Sequence, residues 1–405
     1  MPEIYDVAVV GAGPGGSAAA YFLARAGLNV LLLDKAEFPR DKTCGDGLTP
    51  RALGVLHEMD MLDEVLRIGF RINGIELHAA SGDLMQAPIP DHPQYPNYLV
   101  IAPRLQLDDA ILQRAVQGGA RYQSPVRVSA VESEAEHAVI HAIHNGRQTT
   151  YKARVAILAI GANMRMLLQM GALKKTPHPI LAARAYFEGM SGLEDRVQAH
   201  FANVPLPGYG WVFPISKTSA NVGVGFWHTR IPWRKMPASS RTAMDTFMHN
   251  PKLKEMLAQA EQVGPVKSYP LRIDFASAPT YKDRLLFVGE TAGLVSPLTG
   301  EGIDFAMESG KLAAEFLAGS FERGDLATSS LAAYDQILRE HFQRIFVFLD
   351  RVRRTYLNPL VMNRAIAAAA KRPELRKALV NVMMSQQHPA DLINVPTLRK
   401  VFLGI

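Results

Sequence analysis

Two glycine-rich turns, a lone cysteine and a run of alternating aromatic rings are the parts of this sequence whose types and spacing could do chemistry. Gly11, Ala12, Gly13, Pro14, Gly15 and Gly16 spell G-x-G-x-x-G. In that pattern the first glycine permits a tight turn, the second lets a pyrophosphate reach the backbone, and the third lets helix and strand pack closely. Free N–H groups at the start of the helix then face the anion. Asp34 follows 23 positions after Gly11, with Lys35 beside it, where a carboxylate can accept hydrogen bonds from adenosine ribose hydroxyls. The bland alternative is a tight turn and nothing more.

Farther along, Gly289-Glu290-Thr291-Ala292-Gly293 precede Pro297, Gly300, Glu301, Gly302 and Ile303. This stretch looks like the second FAD-contacting motif of flavoproteins. There a strand delivers an acid, and a glycine-rich turn opens a helix toward the flavin pyrimidine edge or the phosphates. An NAD dehydrogenase has no need of it, so the pair of motifs predicts FAD. Such flavoproteins usually carry Asp where Glu290 stands. Pro103-Arg104-Leu105-Gln106-Leu107-Asp108 resembles the segment whose arginine holds the phosphate side of the cofactor; a surface arginine at a helix start is the alternative. The mid-chain Asp-Gly pair of flavin hydroxylases is replaced by Ile160-Gly161-Ala162-Asn163, so no acid is assigned a role there. No second G-x-G-x-x-G follows, and NAD(P)H or another reductant would bind only transiently as electron donor.

These residues need elements to hold them. Residues 5–10 read as a short buried strand, 17–26 as a helix stopped by Gly27, and 29–33 as a second strand, the opening of a doubly wound sheet. Residues 108–117 look helical and 154–160 form another buried strand. From 180 to 227 the pattern becomes successive strands broken by Gly and Pro, as in an antiparallel sheet. Residues 284–289 return to a parallel-type strand followed by a helix. The expected class is therefore α/β, with an FAD-binding Rossmann-like domain of the glutathione-reductase/hydroxylase type over residues 1–75, 95–175 and 270–330. An antiparallel-sheet substrate domain is inserted over 76–94 and 176–269. A helical carboxy-terminal region over 331–405 is punctuated by Pro359, Pro373, Pro389 and Pro396.

A chain of 405 residues suits two interleaved domains, and 48% hydrophobic with 20% charged residues is a globular composition. Cys44 is the one cysteine, which excludes an internal disulfide and a multi-cysteine metal site and fits a reducing compartment. No metal is expected. Met1 runs straight into strand-like residues without a secretory signal, and apolar stretches such as 345–349 and 365–370 fall far below the ~20 residues of a bilayer-crossing helix. The expected place is the cytoplasm. The formal charge of +6 is uneven: residues 339–405 hold 12 Lys/Arg against 4 Asp/Glu, or +8, leaving −2 for the rest. A solvated helical surface is one reading and attraction to anionic lipid the other; no nucleic-acid motif accompanies the charge.

Phe38-Pro39-Arg40-Asp41-Lys42-Thr43-Cys44-Gly45-Asp46-Gly47-Leu48-Thr49-Pro50-Arg51-Ala52 resembles the geranylgeranyl reductase family of flavoproteins, most closely the bacterial branch that reduces isoprenoid tails of quinones. That family pairs a Pro-x-x-x-x-Cys-Gly-x-Gly loop with Tyr-x-Trp-x-Phe-Pro, present as Tyr209-Gly210-Trp211-Val212-Phe213-Pro214. The resemblance runs through these and the two cofactor motifs, and matches the carboxy-terminal helices only in general character. It implies that Cys44 and Gly45 lie beside the flavin and that Tyr209, Trp211 and Phe213 wall a prenyl-lipid or polyprenyl quinone substrate. Gly45 and Gly47 remove side chains that would keep the loop from the isoalloxazine ring. From the residues alone, Cys44 reads equally as a small buried hydrophobe, and three alternating aromatics as an ordinary core face.

Reducing an isolated trisubstituted alkene needs a hydride from reduced flavin and a proton on the neighbouring carbon, so geometry must supply most of the help. A water-poor channel and a proton donor are the minimum parts, with Tyr209, Cys44 or an ordered water as candidate donors. The alternative function is a flavin-dependent halogenase or aromatic monooxygenase, because residues 208–214 approach the halogenase Trp-x-Trp-x-Ile-Pro element; no pattern identifies the reactive lysine that chemistry requires. A non-catalytic flavin or lipid carrier would need the cofactor fingerprints but not the loop and wall together. Since a polyprenyl substrate lives in the bilayer, peripheral contact at the inner face of the cell membrane is expected. Phe342, Ile345, Phe346 and Leu349 form an apolar stripe beside Arg344 and Arg351 for that purpose. Packing of the stripe on the flavin domain is the alternative.

Overall fold

The computed structural model describes residues 3–227, 236–356 and 359–384. Among these, Ile4–Val10 lies between Val30–Leu33 and Arg147–Leu158, parallel to both. Its apolar run and the Val-Leu-Leu-Leu of its neighbour are what strands covered on two faces require. Leu285–Phe287 and Arg121–Gln123 continue the parallel order on either side, and Val126–Ser133 with Ala138–His144 attach as antiparallel strands. The helix Pro14–Arg25 leaves directly from the first strand and crosses Ile303–Glu322. That crossing is close because Gly310 has no side chain: a Cβ there would stand 2.3 Å from the Gly15 carbonyl oxygen.

A seven-stranded sheet is ordered Glu261–Leu271, Ile180–Glu188, Ser219–Trp227, Gly208–Pro214, Arg196–His200, Gly74–His78, Leu84–Pro88. It is antiparallel except where Arg196–His200 runs parallel to Gly74–His78, a join the sequence pattern did not announce. Met244, Phe247 and Leu253 of the helices Ser240–Phe247 and Pro251–Met256 share a core with Val212, Val222 and Val224 of this sheet. A small third sheet, Gly47–Leu48, Leu99–Ile101 and Phe70–Ile72, was also unforeseen, and it anchors the segment that follows Cys44.

The carboxy-terminal stripe corrects an expectation. Phe346 packs at 5.0 Å from Phe275 and 4.9 Å from Phe305, ring centre to ring centre, and Phe342 and Leu349 are buried too. Burial of such side chains contributes ~1.5–3 kcal/mol each. They have joined the protein interior and are not available to lipid. Pro359 and Pro373 open the helices Pro359–Lys371 and Pro373–Met383, where a missing N–H is harmless. Pro389 and Pro396 lie outside the described residues. No helix among the described residues is long and apolar enough to cross a membrane.

Candidate active site

A cavity of about 660 Å³ is bounded at one part by Gly11, Gly13, Gly15, Asp34, Lys35 and Arg40. The glycines there do different things. Gly11 holds φ at 105°, and a Cβ on Gly16 would stand 1.8 Å from the Gly11 carbonyl oxygen, so both serve the turn itself. At Gly13 the nearest atom to an added Cβ is the Arg40 guanidinium, 3.7 Å away. That open face, at the first turn of a helix with a cation across it, fits a pyrophosphate. Pro14 begins the helix without needing an N–H. The Asp34 carboxylate accepts from the Ala12 N–H at 2.7 Å and the Ala36 N–H at 2.8 Å. Those two bonds fix it and leave lone pairs for ribose hydroxyls.

Cys44, Gly45, Arg104, Glu290, Gly302 and Ile303 border the same cavity. Arg104 is buried rather than superficial, and gives Nε and Nη2 to the Asp108 carboxylate at 2.5 and 2.7 Å. Burial opposes its charge, but Asp108 and the neighbouring Cys44 thiol hold its pKa above the ordinary value. Arg40 shares Asp108 at 2.9 Å, and it is the guanidinium that faces Gly13. The sequence had offered Arg104 for the phosphate side; Arg40, part of the Phe38–Ala52 motif, was passed over. Glu290 accepts from the Arg272 N–H and the Tyr269 hydroxyl, both at 3.1 Å. The Lys42 ammonium sits 4.0 Å over the Tyr269 ring. Burial draws its pKa down, with Glu290 opposing.

Tyr209, Trp211 and Phe213 all reach the cavity, with successive ring centres 6.1 Å apart. The Trp211 indole lies against Gly223, where a Cβ would come within 2.2 Å of it, and its N–H goes to Asn221 Oδ1 at 2.9 Å. A Cβ on Gly45 would stand 3.1 Å from the Phe213 ring, so the missing side chain expected to admit the flavin makes room for the aromatic strand. The Tyr209 hydroxyl donates to the Thr299 carbonyl, and burial, with Glu301 nearby, pushes its pKa up. Trp227 was missed: its N–H bonds the Pro297 carbonyl at 2.8 Å and its ring stands 6.3 Å from Tyr209. Also missed were Met362, Leu375, Leu379, Val382 and Met383, through which the carboxy-terminal helices wall the apolar part of the cavity. Lone aromatics at strand ends and aliphatic helix faces carry no motif to find them by.

Residues 4–348 match the family model described as FAD binding domain. The menaquinone reductase of Mycobacterium tuberculosis is 33% identical over 323 residues, covering 77% of this chain and 76% of that protein. The chain is a flavoprotein of the geranylgeranyl reductase family. To this FAD-binding oxidoreductase, digeranylgeranylglycerophospholipid reductase 1 of Methanopyrus kandleri is 29% identical, covering 84% of this chain and 88% of that one. A geranylgeranyl bacteriochlorophyll reductase-like structure from Thermoplasma acidophilum superimposes with a TM-score of 0.80 at 23% identity, over 99% and 96% of the two chains. A myxobacterial chondrochloren halogenase follows at 0.73 and 22%, over 99% and 94%. At such identities the structural likenesses speak to the fold alone.

Proposed function

We propose that the protein saturates carbon–carbon double bonds in the isoprenoid chain of a quinone or another prenyl lipid. The observation that carries this reading is the continuity of the cavity, in which the cofactor cradle and the apolar walls are one space. FAD, when bound and reduced, supplies the hydride. Gly13, Arg40 and the first turn of the Pro14–Arg25 helix hold its phosphates, Asp34 the ribose, and Glu290, Gly302 and Ile303 the flavin side. Trp211 and Phe213, with Tyr209 and Trp227, press the alkene into place and exclude water. With Tyr209 committed to Thr299, the proton comes from Cys44 or from an ordered water. NAD(P)H or another reductant restores the electrons without a resident site. The protein works in the cytoplasm, as its single thiol suits.

The test is anaerobic reduction of the holoprotein followed by menaquinone. A quinone ring can itself accept electrons, so the deciding readout is the mass of the tail, expected to rise by one pair of hydrogens per saturated bond. Recovery of an unchanged tail, or of a halogenated aromatic when halide and oxygen are supplied, would end this reading.

With the apolar stripe buried, membrane contact rests on charge. Arg364, Lys371 and Lys377 are exposed on the two helices whose other residues wall the cavity, and Arg372 is exposed between them. Each basic residue near an anionic surface contributes ~1 kcal/mol within a Debye length of ~10 Å. The protein should co-sediment with anionic vesicles at low salt, leave them at high salt, and ignore neutral ones. Equal binding to both kinds, or to neither, refutes the electrostatic contact.

A further inference from the structure

Cys44 and Trp211 are joined through two residues that belong to no motif role assigned above. Asp46 is fully buried, and its Oδ2 accepts from the Tyr186 hydroxyl at 2.6 Å and from Asn221 Nδ2 at 2.8 Å. Asn221 Nδ2 also donates to the Cys44 carbonyl at 2.7 Å, while Asn221 Oδ1 accepts the Trp211 indole N–H at 2.9 Å. Both amide hydrogens face acceptors and the amide oxygen faces a donor, so only one orientation of this side chain satisfies the set. Asn221 thus holds the loop and the indole at once, and Asp46 holds Asn221.

This arrangement is unfavourable by itself. Asp46 has φ 65°, a region that residues other than glycine seldom occupy, and its Oδ1 is buried without a hydrogen bond. Burial pushes the carboxyl up to about 6 against the pull of Tyr186 and Asn221. Glycine would relieve the backbone, and asparagine would remove the charge while tolerating the same φ. A strained, buried acid in this place points to a requirement for its geometry.

We infer that Asp46 and Asn221 are positioning residues that tie the Cys44 loop to the Trp211 ring, so that the two keep one spacing across the candidate active site. The inference rests on the reading of Trp211 as substrate wall, and its test separates the two. Trp227→Phe together with Trp233→Phe leaves Trp211 as the sole tryptophan of three. In that background Asp46→Gly and Asn221→Ala should each lower the fluorescence anisotropy of Trp211. Asp46→Asn, which keeps an acceptor and the backbone, should restore it. In the otherwise unaltered holoprotein the first two should slow saturation of a polyprenyl quinone's tail, read from its mass, roughly 10- to 100-fold, the scale of an ångström misplacement, and spare flavin reoxidation by oxygen. Unchanged anisotropy in both variants overturns the tie. Lowered anisotropy with an unchanged prenyl rate supports the tie and overturns Trp211 as substrate wall. Should Asp46→Gly fail to fold, Asn221→Ala, compared with Asp46→Asn, gives the same decision.

Discussion

Gly13→Leu is expected to give a folded but colourless protein. The Cβ itself has room, with only the tip of Arg40 at 3.7 Å, so the leucine side chain projects into the cavity and not into packed backbone. What it displaces is the phosphate and its bonds to helix-end N–H groups. Hydrogen bonds to a charged group contribute ~1.5–3 kcal/mol each, so losing two weakens FAD binding on the order of 100-fold to 10,000-fold. Gly16→Ala is the contrast, since its Cβ would meet the Gly11 carbonyl oxygen at 1.8 Å and the turn cannot yield. That variant should fail as a fold. Flavin absorbance per protein chain, read beside circular dichroism, distinguishes the two. Full FAD occupancy in Gly13→Leu would place the phosphates elsewhere.

Trp211→Ala should slow reoxidation of the reduced flavin by a prenyl acceptor by about 100-fold while leaving reoxidation by oxygen nearly unchanged. Trp211 is only 6% exposed before any substrate is bound, and its rings pack on Gly223, Tyr209 and Phe213, so it holds up the aromatic surface on which an apolar chain would lie. Loss of that surface lets the alkene move by the ångström or so that costs such a factor. Oxygen needs no such seat. Trp211→Phe should fall between, because it keeps a ring but drops the bond to Asn221. Equal slowing of both half-reactions in Trp211→Ala would mean that the cofactor site, and not the substrate seat, had been damaged.

The cavity lining proposed to cradle the cofactor was legible because its signals are local. A turn, a helix start and a strand-end acid lie within residues 11–34, and period-two alternation put Tyr209, Trp211 and Phe213 on one face whatever the fold around them. Even the Arg104–Asp108 pair is a four-residue helical spacing that could have been read in advance. The direction of Arg40, the partners of Glu290 and the seat of Trp227 were not legible, because each depends on a segment far away in the chain. Asn221 reaches Cys44 across 177 positions. The carboxy-terminal helices show the division most clearly. By itself the sequence determined that Phe342, Phe346 and Leu349 share one apolar face, which helical periodicity ensures. Only the tertiary structure decided that this face meets Phe275 and Phe305, and that the next helices close the cavity with Met362 and Leu379. Hydrophobic burial is non-directional, so a pattern specifies which side chains leave water and says nothing of what receives them.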